Sequence, residues 1–374
     1  MASELSWSRR LLFTAITIGF VLVSVEVLLQ AFYYMTAGEF LFNRAVLSIY
    51  EEDDTRCYRV QPNLDYVHRT NEFSIHVYTD ENGLRTTKGG RAVTYEKDPG
   101  VTRILFLGPS FAFGWGSEYE ESYAWRIAEG LRERGHEVEL LNLGTPAQAP
   151  NYQLCWLAKE GYKYAPDIVV QTDYGSIGGV GDGCPEPLEC PIIDDGVLWR
   201  DPPTLRRRAF NAAKNLGVVF YGFYAMSALR DAPADGGGAG KELHGDLAKM
   251  DPGEDDAARA LSGYSQHSAF VKRVLPDART VYLYIPLSYV AHPEDAPRHW
   301  SRGEDDPFGE RERLASAAAA VQARGIPFVD GTKALVAAAG DERLYYWLDI
   351  HLTPRGNEVL AEAAVPVLEG LVAP

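Results

Sequence analysis

The chain has 374 residues, 46% of them hydrophobic and 24% charged, with a formal net charge of −16. Such a composition is globular rather than disordered, and the length suits one large α/β domain or two ordinary ones with a substantial core. The acidic balance excludes a nucleic-acid binder, because a polyanion has to be met by a basic face, and it offers an anionic membrane surface nothing beyond the first residues.

The N-terminus begins "MASELSWSRR" and continues as an apolar run from Leu11 to Met35. At ~1.5 Å per residue that run is long enough to cross a hydrocarbon core of ~30 Å. Glu26 interrupts it, which places this acid off-centre or against a partner helix. Tyr33 and Tyr34 suit an interfacial belt, while Arg9 and Arg10 favour an N-terminus held inside. A cleaved signal peptide is the rival reading. The length of the run and the lack of an A-x-A site favour an uncleaved signal anchor, with the main domain exported to the periplasm or cell exterior. Residues 1–35 are therefore read as a cytoplasmic tip and transmembrane anchor.

Residues 36–100 read as a juxtamembrane strand-and-loop segment. "FSIHVYTD" alternates as a strand does, and Asn82-Gly83 and Gly89-Gly90 supply turns. From residue 101 strands alternate with helices. "RILFLG" is a short continuous apolar run, as expected of a central parallel strand. "EVELLNLG", "PDIVVQTDYG", "RTVYLYIP" and "IPFVDGT" follow as further strands. "SYAWRIAEGLRERG", "NYQLCWLAKEGYKY", "ERERLASAAAAVQARG" and "PRGNEVLAEAAVPVLEGL" are the helices. Alternation of this kind predicts a three-layer α/β/α fold on a doubly wound parallel sheet over residues 101–374. An insertion at about 184–262 interrupts it, with Gly-, Asp- and Pro-rich stretches that read as a loop or lid. Cys184 and Cys190 in "GCPEPLECP" are candidates for a disulfide closing a short loop. Cys57 shows no partner from spacing, and Cys155 reads as a core residue on a helix. No spacing fits a metal site, and no cofactor is implied.

In an open parallel sheet, ligands sit beyond the carboxyl ends of the strands. Ser110 lies there, after "RILFLGP". A serine in that place is either a helix cap or a nucleophile. A serine nucleophile needs a base, and the base needs an orienting group. "WLDIHLTPRG" supplies both, with His351 two residues beyond Asp349 and just before the final helix, which starts at Thr353-Pro354. Trp115 and Tyr174 are candidate substrate-contacting aromatics. "HPEDAPRH", with His292 and His299, reads as a solvated loop.

Taken together, these blocks resemble the SGNH (GDSL-type) hydrolase superfamily, in its membrane-anchored bacterial branch. "LGPSFAFGWG" resembles the first block, with Pro109 where the family has Asp. "YRVQPNLDYVHRTNEF" and "NGLRT" look like its lead-in, "LLNLGTPAQAPNYQL" resembles the second block, "APDIVVQTDYGS" the third, and "LDIHLTPRGNEVLAE" the fifth. The resemblance implies a flavodoxin-like fold and hydrolysis or transfer of esters. It also implies a Ser110–His351–Asp349 triad. The oxyanion hole would come from the Ser110 N–H, from Ala147 at the glycine position, and from Ser176 at the position of the family's Asn. The expected activity is that of a serine esterase or O-acyl (acetyl) transferase on an ester-bearing envelope glycan or lipid. The alternative, motivated by Pro109 and the missing Asn, is a weakly active or inactive binding or assembly protein of the envelope, with an envelope protein as partner.

Overall fold

The computed structural model describes residues 6–372 other than 38–39, 44–47, 71, 176, 200–201, 203, 232–255, 296–306, 341 and 348. Ser176, His299 and the glycine-rich stretch of the insertion therefore lie outside the described residues. The chain divides into two compact units, Met1–Ser48 with Val197–Gly236, and Ile49–Gly196 with Gly237–Pro374.

In the first unit a helix runs from Trp7 to Ala37, and Trp7–Met35 is long and apolar enough to cross a membrane by length and composition. An apolar helix, Gly217–Asp231, packs on it. Tyr33 is buried against Phe220 with ring centroids 5.6 Å apart, whereas Tyr34 stays half exposed. Glu26 faces this partner: its carboxylate accepts the N–H groups of Gly217 at 2.7 Å and Val218 at 3.1 Å.

The second unit is built on five parallel strands, β1 (Thr102–Leu107), β2 (Val138–Asn142), β3 (Ile168–Tyr174), β4 (Arg279–Ile285) and β5 (Phe328–Asp330). Their spatial order is β5-β4-β3-β1-β2, the doubly wound order in which β1 and β3 flank the topological switch point. All six residues of β1 are buried, as a strand covered on both faces requires. Ile104 and Phe106 point into a cluster with Tyr123, Ile127, Leu360 and Ala364 from the helices Tyr123–Arg132 and Pro354–Glu369. Leu105 and Leu107 point the other way, to Leu154, Leu157 and Phe270. The fold is thus α/β with helices on both faces.

Residues 49–100 belong to this same unit. A hairpin pairs Tyr50–Asp53 with Cys57–Val60, and a three-stranded antiparallel sheet joins Asp65–Arg69, Ser74–Thr79 and Arg85–Thr86. In the "NGLRT" stretch, Arg85 is buried and donates to the carbonyls of Phe113 and Gly114, each at 3.0 Å, and of Ser117 at 2.9 Å. Its guanidinium stands 4.7 Å from the Phe113 ring centroid.

The cysteine pairing corrects the expectation for Cys184 and Cys190. Cys190 bonds Cys57 and Cys184 bonds Cys155, with Cα–Cα separations of 5.2 Å and 4.6 Å. Cys57 opens the strand Cys57–Val60 and Cys155 lies on the helix Pro150–Lys159, and the fold brings each within disulfide reach of this segment. Each sulfur instead meets a cysteine on a neighbouring element. His292 also departs from its expected solvated loop. It is buried, and its Nε2 accepts the N–H of Leu344 at 3.1 Å.

Candidate active site

β1 ends at Leu107, and the chain turns sharply at Gly108, where φ is +152°. A Cβ there would stand 2.6 Å from Thr172 Cβ and 2.8 Å from Ala112 Cβ, so only glycine fits. The freed Gly108 carbonyl accepts Thr145 N–H at 3.1 Å and Gln153 Nε2–H at 2.5 Å. Pro109 is extended, and Ser110 opens a single helical turn that closes at Gly114. Ser110 is not the side-chain cap of that turn. Its Oγ lies 2.6 Å from Nε2 of His351, a residue 241 positions away in sequence.

His351 sits in the loop before the helix Pro354–Glu369, which Thr353 caps by accepting Gly356 N–H at 3.2 Å. Nδ1 of the imidazole hydrogen-bonds Asp349 Oδ1, which also accepts the His351 N–H at 3.0 Å. Burial raises the Asp349 pKa, but the hydrogen bonds from His351 and the electrostatic pull of the His351 and His68 rings outweigh it and hold the carboxyl below its ordinary value. An ionised carboxylate only accepts, so Nδ1 carries the proton and Nε2 is left to accept the Ser110 hydroxyl.

Residues that sequence reasoning passed over hold this loop in place. Glu72, at the turn between Asp65–Arg69 and Ser74–Thr79, accepts Trp347 N–H at 2.6 Å and Asp349 N–H at 2.8 Å through its two oxygens. Asn357 accepts Tyr123 N–H at 3.1 Å and donates to Ser117 Oγ and the Thr353 carbonyl, each at 3.0 Å. Tyr346 donates to the Gly116 carbonyl at 2.6 Å. These bonds tie the His351 loop to the Ser110 loop. Charge-assisted hydrogen bonds contribute ~1.5–3 kcal/mol, so Glu72→Ala should lower kcat by roughly 10- to 100-fold. KM should be nearly unchanged, and Glu72→Gln, which keeps one acceptor oxygen, should recover part of the loss. Steady-state kinetics of the three proteins on a soluble ester check this; a rise in KM at constant kcat would assign Glu72 to substrate binding instead.

On the other side of Ser110, the loop after β2 lies against the helical turn. Gly144 is so close that a Cβ would fall 2.2 Å from Phe113 N. Ala147 follows with φ +59°, a conformation that suits the glycine expected there. Among the described residues, neither the Ser110 N–H nor the Ala147 N–H donates to a protein acceptor. The first hairpin buttresses this loop: Tyr58 Oη donates to the Ala147 carbonyl at 2.7 Å, Tyr50 Oη to the Pro146 carbonyl at 3.2 Å, and Gln148 Nε2 to the Tyr58 carbonyl at 2.7 Å.

Of the two aromatics named from sequence, Trp115 lies near the imidazole and Tyr174 reaches it only through Phe111. Tyr174 stacks on Phe111 at 4.1 Å, and Phe111 lies 4.6 Å from the His351 ring. Trp115 is 6.4 Å from His351 and 4.5 Å from His68, centroid to centroid, and is nearly buried.

Beside Tyr174, at the end of β3, Asp173 is buried and accepts Tyr264 Oη–H at 2.8 Å and Gly178 N–H at 2.6 Å. Burial is the larger influence and pushes its pKa up to about 7, against the lowering effect of those hydrogen bonds. A raised native pKa means the native state holds the proton more tightly than the unfolded chain. Stability is then full below the ordinary carboxyl pKa near 3.8 and is lost as pH rises to about 7. Relative to Asp173→Asn, the wild type should lose up to about 4 kcal/mol of unfolding free energy over that interval and no more above it. Urea unfolding of both proteins at several pH values measures this; parallel curves would contradict it.

The C-terminal part of the chain, which carries β4, β5 and the His351 loop, matches the model of a known family. The match covers residues 271–371 and is to the SGNH hydrolase-like domain of acetyltransferase AlgX. No curated protein sequence matches the chain. Similar solved structures include the lipase/acylhydrolase from Enterococcus faecalis, at 15% identity over 73% of this chain and 98% of that one, with a TM-score of 0.38. A catalytic mutant of an acetylxylan esterase from Geobacillus stearothermophilus has 12% identity over 71% and 94%, with a TM-score of 0.37. A member of the lipolytic G-D-S-L family from Veillonella parvula has 10% identity over 71% and 97%, with a TM-score of 0.35.

Proposed function

We propose that the protein is a membrane-anchored serine esterase or O-acetyltransferase acting on ester groups of an envelope glycan or lipid. The observation that carries the reading is the hydrogen-bonded chain from Ser110 Oγ through His351 to Asp349 at the switch point of the sheet. Ser110 Oγ attacks the acyl carbonyl while His351 Nε2 takes its proton, and Asp349 stabilises the imidazolium that forms. The N–H groups of Ser110 and Ala147, with Ser176, receive the oxyanion. Collapse expels the alcohol, which takes the proton back from Nε2, and leaves an acyl-serine. Water or a sugar hydroxyl then resolves the ester with His351 again as base. Trp115 and Tyr174 border the acyl group. The acetyltransferase description of the matching family supports an acetyl group as the one moved.

Export of the second unit is supported by the arginines before the apolar helix and by two disulfides, which persist in oxidising compartments. Acetate release from purified acetylated envelope polysaccharide tests the activity. The wild type should release acetate, or pass it to an added glycan acceptor, and His351→Ala should do neither. Equal acetate from both proteins would reject the reading, and no acetate or transfer from either would favour the binding or assembly alternative.

A further inference from the structure

We propose that Asp173 is a positioning residue of the ester chemistry, fixing the loop after β3 so that residue 176 meets the oxyanion. This role rests on the serine-ester mechanism proposed above. Ser176 itself lies outside the described residues, but the positions on both sides of it are pinned.

Before residue 176, Gly175 N–H donates to the Ile285 carbonyl at 3.0 Å, which ties the loop to the end of β4. After it, Ile177 is buried and Gly178 N–H donates to Asp173 Oδ2 at 2.6 Å. The same oxygen accepts Tyr264 Oη–H at 2.8 Å, from the helix Asp256–Val274 that leads out of the insertion into β4. This helix also touches the loop directly. A Cβ on Gly263 would fall 2.0 Å from the Gly178 carbonyl oxygen, and one on Gly178 would fall 2.7 Å from Ala260 Cα. With φ at +85°, Gly178 answers two demands at once, the backbone angle and the close contact.

Asp173 is buried, and the cost of burying it pushes its pKa up to about 7, so at neutral pH the acid takes stability from the fold. A buried acid kept at such a cost marks a functional position. What the carboxyl supplies is a joint. One oxygen links the backbone beyond residue 176 to a side chain of the helix packed behind it. A donor to a developing oxyanion is effective only when its place is fixed beforehand, because reorganisation during the reaction forfeits the gain. A serine hydroxyl turns about its own bond, so at position 176 the backbone has to supply the fixed part.

Steady-state kinetics of the full chain on p-nitrophenyl acetate test this through a double-mutant cycle of Asp173→Ala with Ser176→Ala. Ser176→Ala should lower kcat by about 100-fold and Asp173→Ala by about 30-fold, each with KM within a few-fold of the wild type. Together they should cost little more than Ser176→Ala alone, because the first acts through the second. Asp173→Asn, which keeps one acceptor oxygen, should recover most of the Asp173→Ala loss. Tyr264→Phe leaves the buried site filled and gives the same cycle at less risk to the fold. Its expected loss is about threefold, and it should disappear in the Ser176→Ala background. Losses that multiply in either cycle, or a loss from Asp173→Asn as large as that from Asp173→Ala, would overturn the positioning role. A wild type no faster than Ser110→Ala would overturn the ester mechanism beneath it, and this role with it.

Discussion

Ser110→Ala should lower acetyl-ester turnover by about 10³-fold or more, with KM within a few-fold of the wild type. Alanine removes the oxygen that the proposed mechanism acylates and leaves His351 Nε2 without that hydrogen-bond partner. A loss of 10³ corresponds to ~4 kcal/mol of transition-state stabilisation. The Ser110 and Ala147 N–H groups proposed to receive the oxyanion survive the change, so a residual rate above the uncatalysed one should remain. His351→Ala should cost about as much, and the double variant little more, because the two act in one proton transfer. Additive losses would mean that the serine and histidine work in separate steps.

Replacing both members of the Cys57–Cys190 pair by serine should cost up to about 5 kcal/mol of unfolding free energy, the larger effect of the two disulfides. The reason is loop length. Cys57–Cys190 spans 133 residues and Cys155–Cys184 only 29, and the constraint on the unfolded chain grows with the logarithm of that span. The longer bridge also fixes the hairpin whose Tyr50 and Tyr58 hold the Pro146 and Ala147 carbonyls. Turnover should therefore fall together with stability, whereas loss of the shorter bridge should affect stability alone. Denaturant midpoints together with kcat for the two double-serine proteins decide this. A smaller loss for the 57–190 pair than for the 155–184 pair would show that native-state packing, not loop closure, governs both.

The sheet was readable in the sequence because its strands are short, apolar and separated by helical periods, as "RILFL" shows. The grouping of Ser110, His351 and Asp349 was readable only as a combination, since serine and aspartate alone are common helix caps, whereas the three together, after the first strand and before the last helix, resemble the blocks of a known family. Glu72, Arg85 and Asn357 were not. Each acts on backbone groups brought near by the fold, and a side-chain-to-backbone bond leaves no period or spacing in the sequence. The cysteine pairs were hidden for a related reason. Nearness along "GCPEPLEC" suggests one bridge, while the fold brings each sulfur to a partner distant in sequence. Glu26 was visible as an anomaly in an apolar run, but its partners, the amides of residues 217 and 218, have no side-chain signature at all.

The proposed role of Ser110 is that of a nucleophile activated by His351. Its most direct measurement is the site of covalent attachment after treatment with a fluorophosphonate, mapped by peptide mass spectrometry in the wild type, Ser110→Ala and His351→Ala. One phosphonylated residue, Ser110, is expected in the wild type, none in Ser110→Ala, and strongly slowed labelling in His351→Ala. An unlabelled wild type, or a label that persists on another residue when position 110 is alanine, would contradict it.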